Sequence, residues 1–326
     1  MGAGRASGGE RLRAMAATSY GWPADTLYTA AVMLLSGATR GVLSAAGKGM
    51  GMSGWSALEQ VEVGGHRIAY REKGSGWPLV LLHGWPLDSR QWWRQLDALS
   101  DEFRVVAWDA PGAGASSDPP ETARLADWAD WLAAFVDALG LAPAHVGGLS
   151  FGGGLALELF HRHPKVVRSL ILMSAYAGWG GSLAPEEVQR RLELTVRNTE
   201  LPPVQWAPDL IETLLAEGSS AELADELATM IADFHPAATK TSLRAFAEAD
   251  LSDMLADVDV PTLLLYGELD VRSPRQVWEP IHAGIAHSKL VVIPGVGHML
   301  DMQAAERCNA EIRAFVHQVE ASERFG

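Results

Sequence analysis

Three side chains far apart in the chain are of the types that together make an attacking oxygen. Ser150 stands in Gly148-Leu149-Ser150-Phe151-Gly152, between a short strand pattern (Ala144-His145-Val146-Gly147) and an apolar helical run over residues 153–160. A serine at a strand-to-helix turn this tight is held in a strained backbone conformation. The flanking glycines let neighbouring backbone pass where a Cβ would clash. The strain lifts the hydroxyl clear of the sheet and sets Phe151 N–H at a helix N-terminus, aimed where a negative oxygen would form.

A serine hydroxyl is a weak nucleophile and needs a base within hydrogen-bond reach, itself oriented by a third group. His298 ends the loop Pro294-Gly295-Val296-Gly297-His298, after the strand pattern Lys289-Leu290-Val291-Val292-Ile293. Asp270 ends Gly267-Glu268-Leu269-Asp270, after the buried run Val260-Pro261-Thr262-Leu263-Leu264-Leu265-Tyr266. Both therefore lie past the C-terminal ends of strands, the edge where open parallel sheets place their sites. The expected roles are Ser150 as nucleophile, His298 as base and then acid, and Asp270 as the group that fixes the imidazole tautomer. Glu268 is the rival for the acid and is read as a solvated loop carboxylate.

A second oxyanion donor is expected from His83-Gly84-Trp85-Pro86, after the strand Pro78-Leu79-Val80-Leu81-Leu82. Gly84 lets this loop approach the serine turn, which puts Trp85 N–H beside Phe151 N–H; one such donor is typically worth about 100- to 1000-fold in rate. His83 is expected to bond loop backbone. The segment 108–116, after the strand Phe103-Arg104-Val105-Val106-Ala107, reads as a tight turn bracing the site.

The elements that must position these groups alternate regularly. Gly64-Gly65 between two strand patterns signals a hairpin. Helical patterns at 89–99 and 125–139 follow later strands, with Trp128 and Trp131 on one face. This rhythm predicts an α/β fold with a mostly parallel twisted sheet, right-handed crossovers and helices on both faces. After the strand Ser169-Leu170-Ile171-Leu172-Met173 the rhythm breaks, and helices are expected at 185–197, 208–216, 221–234 and 237–249.

Composition narrows the function. The 326 residues carry a formal net charge of −14, which speaks against a nucleic-acid partner because a phosphate backbone needs a basic face. The single cysteine, Cys308, cannot form an internal disulfide, and its helical pattern predicts a buried or half-buried thiol. No Cys/His cluster suggests a metal, and no glycine pattern fits a nucleotide. A cytoplasmic location is expected, and no cofactor.

In order and spacing, His83-Gly84-Trp85-Pro86, Asp109-Ala110-Pro111-Gly112-Ala113-Gly114-Ala115-Ser116, the serine turn, Gly267-Glu268-Leu269-Asp270 and Gly297-His298 resemble the α/β-hydrolase superfamily over roughly residues 62–319. The His-Gly-Trp-Pro form is similar to its esterase and cofactor-free haloperoxidase branch, and the C-terminal part to enol-lactone and C–C hydrolases. Ala110 and Ala113 stand where many relatives carry larger or charged side chains. A serine nucleophile argues against haloalkane dehalogenases and epoxide hydrolases, which need a carboxylate there.

The resemblance implies a core of residues 58–176 and 252–322 and a helical cap of 177–251 over the catalytic edge. Trp179, Trp206, Met230 and Phe234 are candidates for the pocket wall and equally for packing between cap helices. Residues 1–57, rich in Gly, Ala and Ser, admit three readings: a disordered extension, an amphipathic helix on the domain or on a membrane surface, or a stretch upstream of a start at Met50 or Met52. Their apolar run, 27–35, is shorter than the ~20 residues of a membrane span. The expected function is cofactor-independent hydrolysis of a small-molecule carboxylic ester or lactone, with an apolar pocket. Perhydrolase or haloperoxidase chemistry, C–C bond hydrolysis and non-catalytic ligand binding stand as alternatives. The oligomeric state is left open.

Overall fold

The computed structural model describes residues 56–323, so the expectations for the N-terminal segment lie almost wholly outside the described residues. Eight strands form one sheet: β1 (Leu58–Val63), β2 (His66–Lys73), β3 (Trp77–Leu82), β4 (Phe103–Trp108), β5 (Ala144–Leu149), β6 (Val167–Met173), β7 (Thr262–Gly267) and β8 (Ser288–Ile293). Their order is β1-β2-β4-β3-β5-β6-β7-β8. The pairs β1–β2 and β2–β4 are antiparallel and the rest parallel, as the alternation predicts.

Local chemistry accounts for these elements. Gly64 and Gly65, at φ 57° and 80°, supply the two positive-φ residues of a tight hairpin, which pairs Val63 with His66. β5 and β7 are buried along their whole length, as central strands covered on both faces require. β8, at the edge, is half-buried or exposed at every residue but the buried Ile293. Cys308 is buried, its thiol donating to the Leu300 carbonyl at 3.2 Å, and burial pushes its pKa up.

Between strands run α1 (Trp93–Leu99), α2 (Leu125–Ala138) and α3 (Phe151–Arg162). Between β6 and β7 come four helices without a strand: α4 (Pro185–Thr199), α5 (Ala207–Leu214), α6 (Ala221–Ile231) and α7 (Pro236–Glu248). The chain then adds α8 (Arg275–Gly284), α9 (Leu300–Gln303) and α10 (Ala305–Glu323). β3 lies between β4 and β5 in the sheet, so the chain moves outward from β3 to β4 and then crosses back past β3 to β5. That reversal opens a crevice at the carboxyl ends of β3 and β5, where a ligand can enter.

Candidate active site

Ser150 follows β5 directly, with φ 56° and ψ −111°. A side-chain-bearing residue in that region costs on the order of 1–3 kcal/mol and persists only where its surroundings over-determine it. Two glycines do so here. A Cβ on Gly148 would stand 2.2 Å from the Gly152 carbonyl oxygen, and one on Gly152 would stand 2.2 Å from that of Leu82. Ser150 N–H donates to Met173 O at 2.8 Å, which pins the turn to the end of β6. The half-buried serine borders a cavity of about 260 Å³.

Asp270 and His298 come together as the spacing predicts. His298 Nδ1 lies 2.9 Å from Asp270 Oδ2 and 3.1 Å from Oδ1, with both side chains buried. The carboxylate also accepts the N–H groups of Arg272 at 2.8 Å and Ser273 at 2.9 Å, and the Ser273 hydroxyl. Burial alone would raise its pKa. The charge of His298 and the hydrogen bonds from His298 and Ser273 outweigh burial and hold it well below the usual carboxylate range. In the neutral ring, a carboxylate accepting at Nδ1 favours the tautomer that carries its proton there, which leaves the Nε2 lone pair available.

Among the described residues no hydrogen bond joins Ser150 Oγ to His298. Instead the two loops meet through Ser174, at the end of β6, whose hydroxyl donates to His298 O at 3.0 Å. A nucleophile–base bond commonly closes only when substrate is bound. Glu268 is exposed and accepts Gly295 N–H at 3.0 Å, a brace for the histidine loop well separated in role from Asp270.

The two expected oxyanion donors are free. Neither Trp85 N–H nor Phe151 N–H donates to a protein acceptor among the described residues. Their rings pack with centroids 5.6 Å apart. The Trp85 loop is held rigid from behind. Gly84 N–H donates to Gln91 Oε1 at 2.9 Å, and His83 Nε2 accepts Ala110 N–H at 3.0 Å. His83 Nδ1 must then carry the ring proton, which it gives to the Gly84 carbonyl at 3.0 Å. Burial lowers the His83 pKa, consistent with a neutral structural ring. The turn after β4 braces the same loop: Asp109 accepts Ser89 N–H at 2.8 Å and Ala115 N–H at 2.9 Å.

Of the four candidate wall residues, Trp179, Trp206 and Phe234 line the cavity. Met230 does not. It is buried, and with Leu87 and Asp233 it lines a smaller neighbouring space, because its place on α6 turns it toward the sheet loops. The cavity also differs from the expected apolar pocket. Arg191 and Arg272 reach its wall beside Phe246 and Leu243. Arg272 carried a readable signal, a cation two residues past the acid on a loop that had to face the site. Among the described residues no group of three or more His, Cys, Asp or Glu side chains is arranged to hold a metal ion, and no helix is long and apolar enough to cross a membrane.

A family model described as "alpha/beta hydrolase fold" matches residues 78–305. The chain belongs to that family. Among its alpha/beta hydrolase relatives, the (E)-2-((N-methylformamido)methylene)succinate hydrolase of Acinetobacter baylyi is 25% identical over 252 residues, covering 76% of this chain and 93% of that protein. The AB hydrolase superfamily protein YisY of Bacillus subtilis is 30% identical, covering 74% and 92%. A thermophilic esterase from Thermogutta terrifontis, solved with malate bound, superposes with a TM-score of 0.74 at 30% identity, covering 81% of this chain and 99% of that one. The protein is thus an alpha/beta hydrolase-fold enzyme with esterases among its structural relatives.

Proposed function

We propose that this enzyme hydrolyses a carboxylic ester or lactone through an acyl-enzyme on Ser150. The observation that carries the reading is the strained Ser150 turn, whose neighbouring amides are unspent, facing the same sheet edge as a buried Asp270–His298 pair. His298 Nε2 takes the Ser150 proton as Oγ bonds to the carbonyl carbon. Trp85 N–H and Phe151 N–H receive the negative oxygen. His298 gives the proton to the departing alcohol as its C–O bond breaks, then takes one from the water that attacks the acyl carbon, and passes it to Ser150 Oγ as the acyl–Oγ bond breaks, releasing the acid and restoring the serine. Asp270 stays ionised throughout. The four helices of residues 177–251 serve as the cap that shapes the acyl site and limits water access.

Relatives named for ester, succinate-derivative and semialdehyde hydrolysis support a carbonyl substrate. A haloperoxidase relative from Rhodococcus erythropolis, 28% identical, keeps peracid formation as the second reading, since the same serine could pass its acyl group to peroxide. Turnover of short p-nitrophenyl esters measured against bromination of monochlorodimedone with acetate and peroxide separates the two. Ester turnover in excess supports hydrolysis. Halogenation without ester turnover overturns it.

A further inference from the structure

The cavity next to Ser150 is cationic, in a protein whose net charge is −14. Of the charged side chains that line it, Arg190, Arg191, Arg197 and Arg272 are positive and only Glu187 and Asp209 negative. Two of the arginines matter most, because they are largely withdrawn from bulk water. Arg191 keeps 11% of its side-chain surface exposed. Its guanidinium pairs with Glu187 at 2.7 Å and donates to Tyr176 Oη at 3.1 Å and to Arg272 O at 3.1 Å. Glu187 is already shared with Arg190, so its one charge serves two cations.

Arg272 has less. The hydrogen bond of its guanidinium among the described residues is to Thr213 Oγ1 at 3.1 Å, and no carboxylate pairs with it there. Burial lowers its pKa from the usual guanidinium value. Asp270 and Glu187 act on it only from a distance, so the buried cation lacks a directly bonded carboxylate, and an incoming anion would supply one. Its position is enforced: Arg272 N–H is tied to Asp270 Oδ1 at 2.8 Å, and its carbonyl is clamped by Tyr176 and Arg191. The fork therefore stands at a fixed place relative to the catalytic acid, which suits bidentate capture of a carboxylate.

The geometry points to Arg272, assisted by Arg191, as a carboxylate-binding subsite of the acyl pocket, so that the substrate is a monoester or lactone of a dicarboxylic acid carrying one free carboxylate. This rests on the ester-hydrolase reading of Ser150. The side chains around the subsite, Trp179, Phe246 and Leu243, cover the apolar stem between the reacting carbonyl and the bound carboxylate.

The test compares monoethyl adipate with ethyl hexanoate, which differ in a terminal carboxylate. The readout is the ratio of their kcat/KM values within each protein. Each variant's neutral-ester rate is its own reference, so a lower folded fraction leaves the ratio unchanged. The native protein is expected to favour monoethyl adipate, and Arg272→Gln to lower that ratio by about 10- to 100-fold, the scale of a charged hydrogen-bonded contact. Arg272→Lys should retain more of the ratio than Arg272→Gln, and Arg191→Gln should lower it by a smaller factor. Should Arg272→Gln fail to fold, competitive inhibition of ethyl hexanoate turnover by adipate in the native protein and in Arg191→Gln decides the matter, with weaker inhibition expected in the variant. A native preference for the neutral ester, or a preference that Arg272→Gln leaves intact, overturns the subsite while the serine mechanism stands. Absence of turnover with both esters and with p-nitrophenyl acetate strikes the serine mechanism instead.

Discussion

The sheet edge and the helices above it are built on opposite principles. At the edge, each candidate group is fixed by close, buried contacts: Ser150 by its positive φ and glycine neighbours, His298 by the Asp270 carboxylate, Trp85 N–H by a loop tied through Gln91 and His83. In the helical segment, α4 buries none of its residues and presents charged side chains to the cavity. That segment attaches through apolar side chains that join both core clusters, Phe246 and Leu251 in one and Trp206, Leu214 and Leu227 in the other, and through polar contacts. Phe246 packs with ring centroids 5.2 Å from Phe151 and 5.9 Å from Trp179, and Glu226 takes a two-pronged contact from Arg94 at 2.9 and 2.8 Å. The difference teaches that, on the proposed mechanism, the reacting groups sit where packing tolerates little change, while the cavity wall above them is made of side chains that can change without disturbing that geometry.

The largest effects should come from the edge. Ser150→Ala is expected to cost about 10⁶-fold in kcat for every substrate, with fold retained by circular dichroism; a substrate that escapes this loss would show a second site. Asp270→Asn should cost up to about 10⁴-fold, since a neutral amide no longer dictates the His298 tautomer. Glu268→Gln, which keeps an acceptor for Gly295 N–H, should leave kcat within about threefold, and a larger loss than that of Asp270→Asn would reverse the assignment.

Changes at the attachment should act on stability. Phe246 is buried at 1% exposure, and Phe246→Ala is expected to cost about 3–5 kcal/mol by urea denaturation. A loss under about 1 kcal/mol would mean that the helices are seated by their polar contacts instead.

A smaller effect on stability is expected at Asp301, three residues past His298. Gln91 spans from Gly84 N–H to Asp301 Oδ2, at 2.9 Å on each side, and so joins the Trp85 loop to the histidine loop. Among the described residues Asp301 Oδ1 has no hydrogen-bond partner. Burial, opposed by the Gln91 hydrogen bond, pushes its pKa up to about 7. A carboxyl raised in the folded state favours folding while both states are protonated. That advantage is lost as pH rises from the unfolded value near ~4 to the folded value. Asp301→Asn should therefore be more stable than the native protein by about 1–3 kcal/mol at pH 8, with the gap closing toward pH 4. A pH-independent difference in denaturation midpoints would refute the linkage. The depressed Asp270 works in the opposite sense, adding stability above the ordinary carboxylate range that is lost in strong acid.

The fold was legible because its strands are short apolar runs bounded by glycine and proline, and because sites in such sheets sit at strand ends. Ser150, Asp270 and His298 could be named for the same reason: each closes a strand at the same edge. The helical segment was legible as helices but not as a surface. Met230 and Phe234 are four residues apart in the chain, yet the structure lines the main cavity with Phe234 and not with Met230. The expected helix 221–234 ends at Ile231, so Phe234 lies in the turn beyond it and no longer shares a helix face with Met230. Arg272 went unread because a single cation in a loop has no periodicity, and its place two residues past Asp270 was the one signal that could have marked it.

The central claim is that Ser150 is an activated nucleophile. Treatment of the native protein and of His298→Ala with a fluorophosphonate, followed by peptide mass spectrometry, tests it most directly. A single adduct on Ser150 in the native protein, slowed strongly in His298→Ala, is the predicted result. Folded native protein that stays unlabelled, or that carries the adduct on another serine, would contradict it.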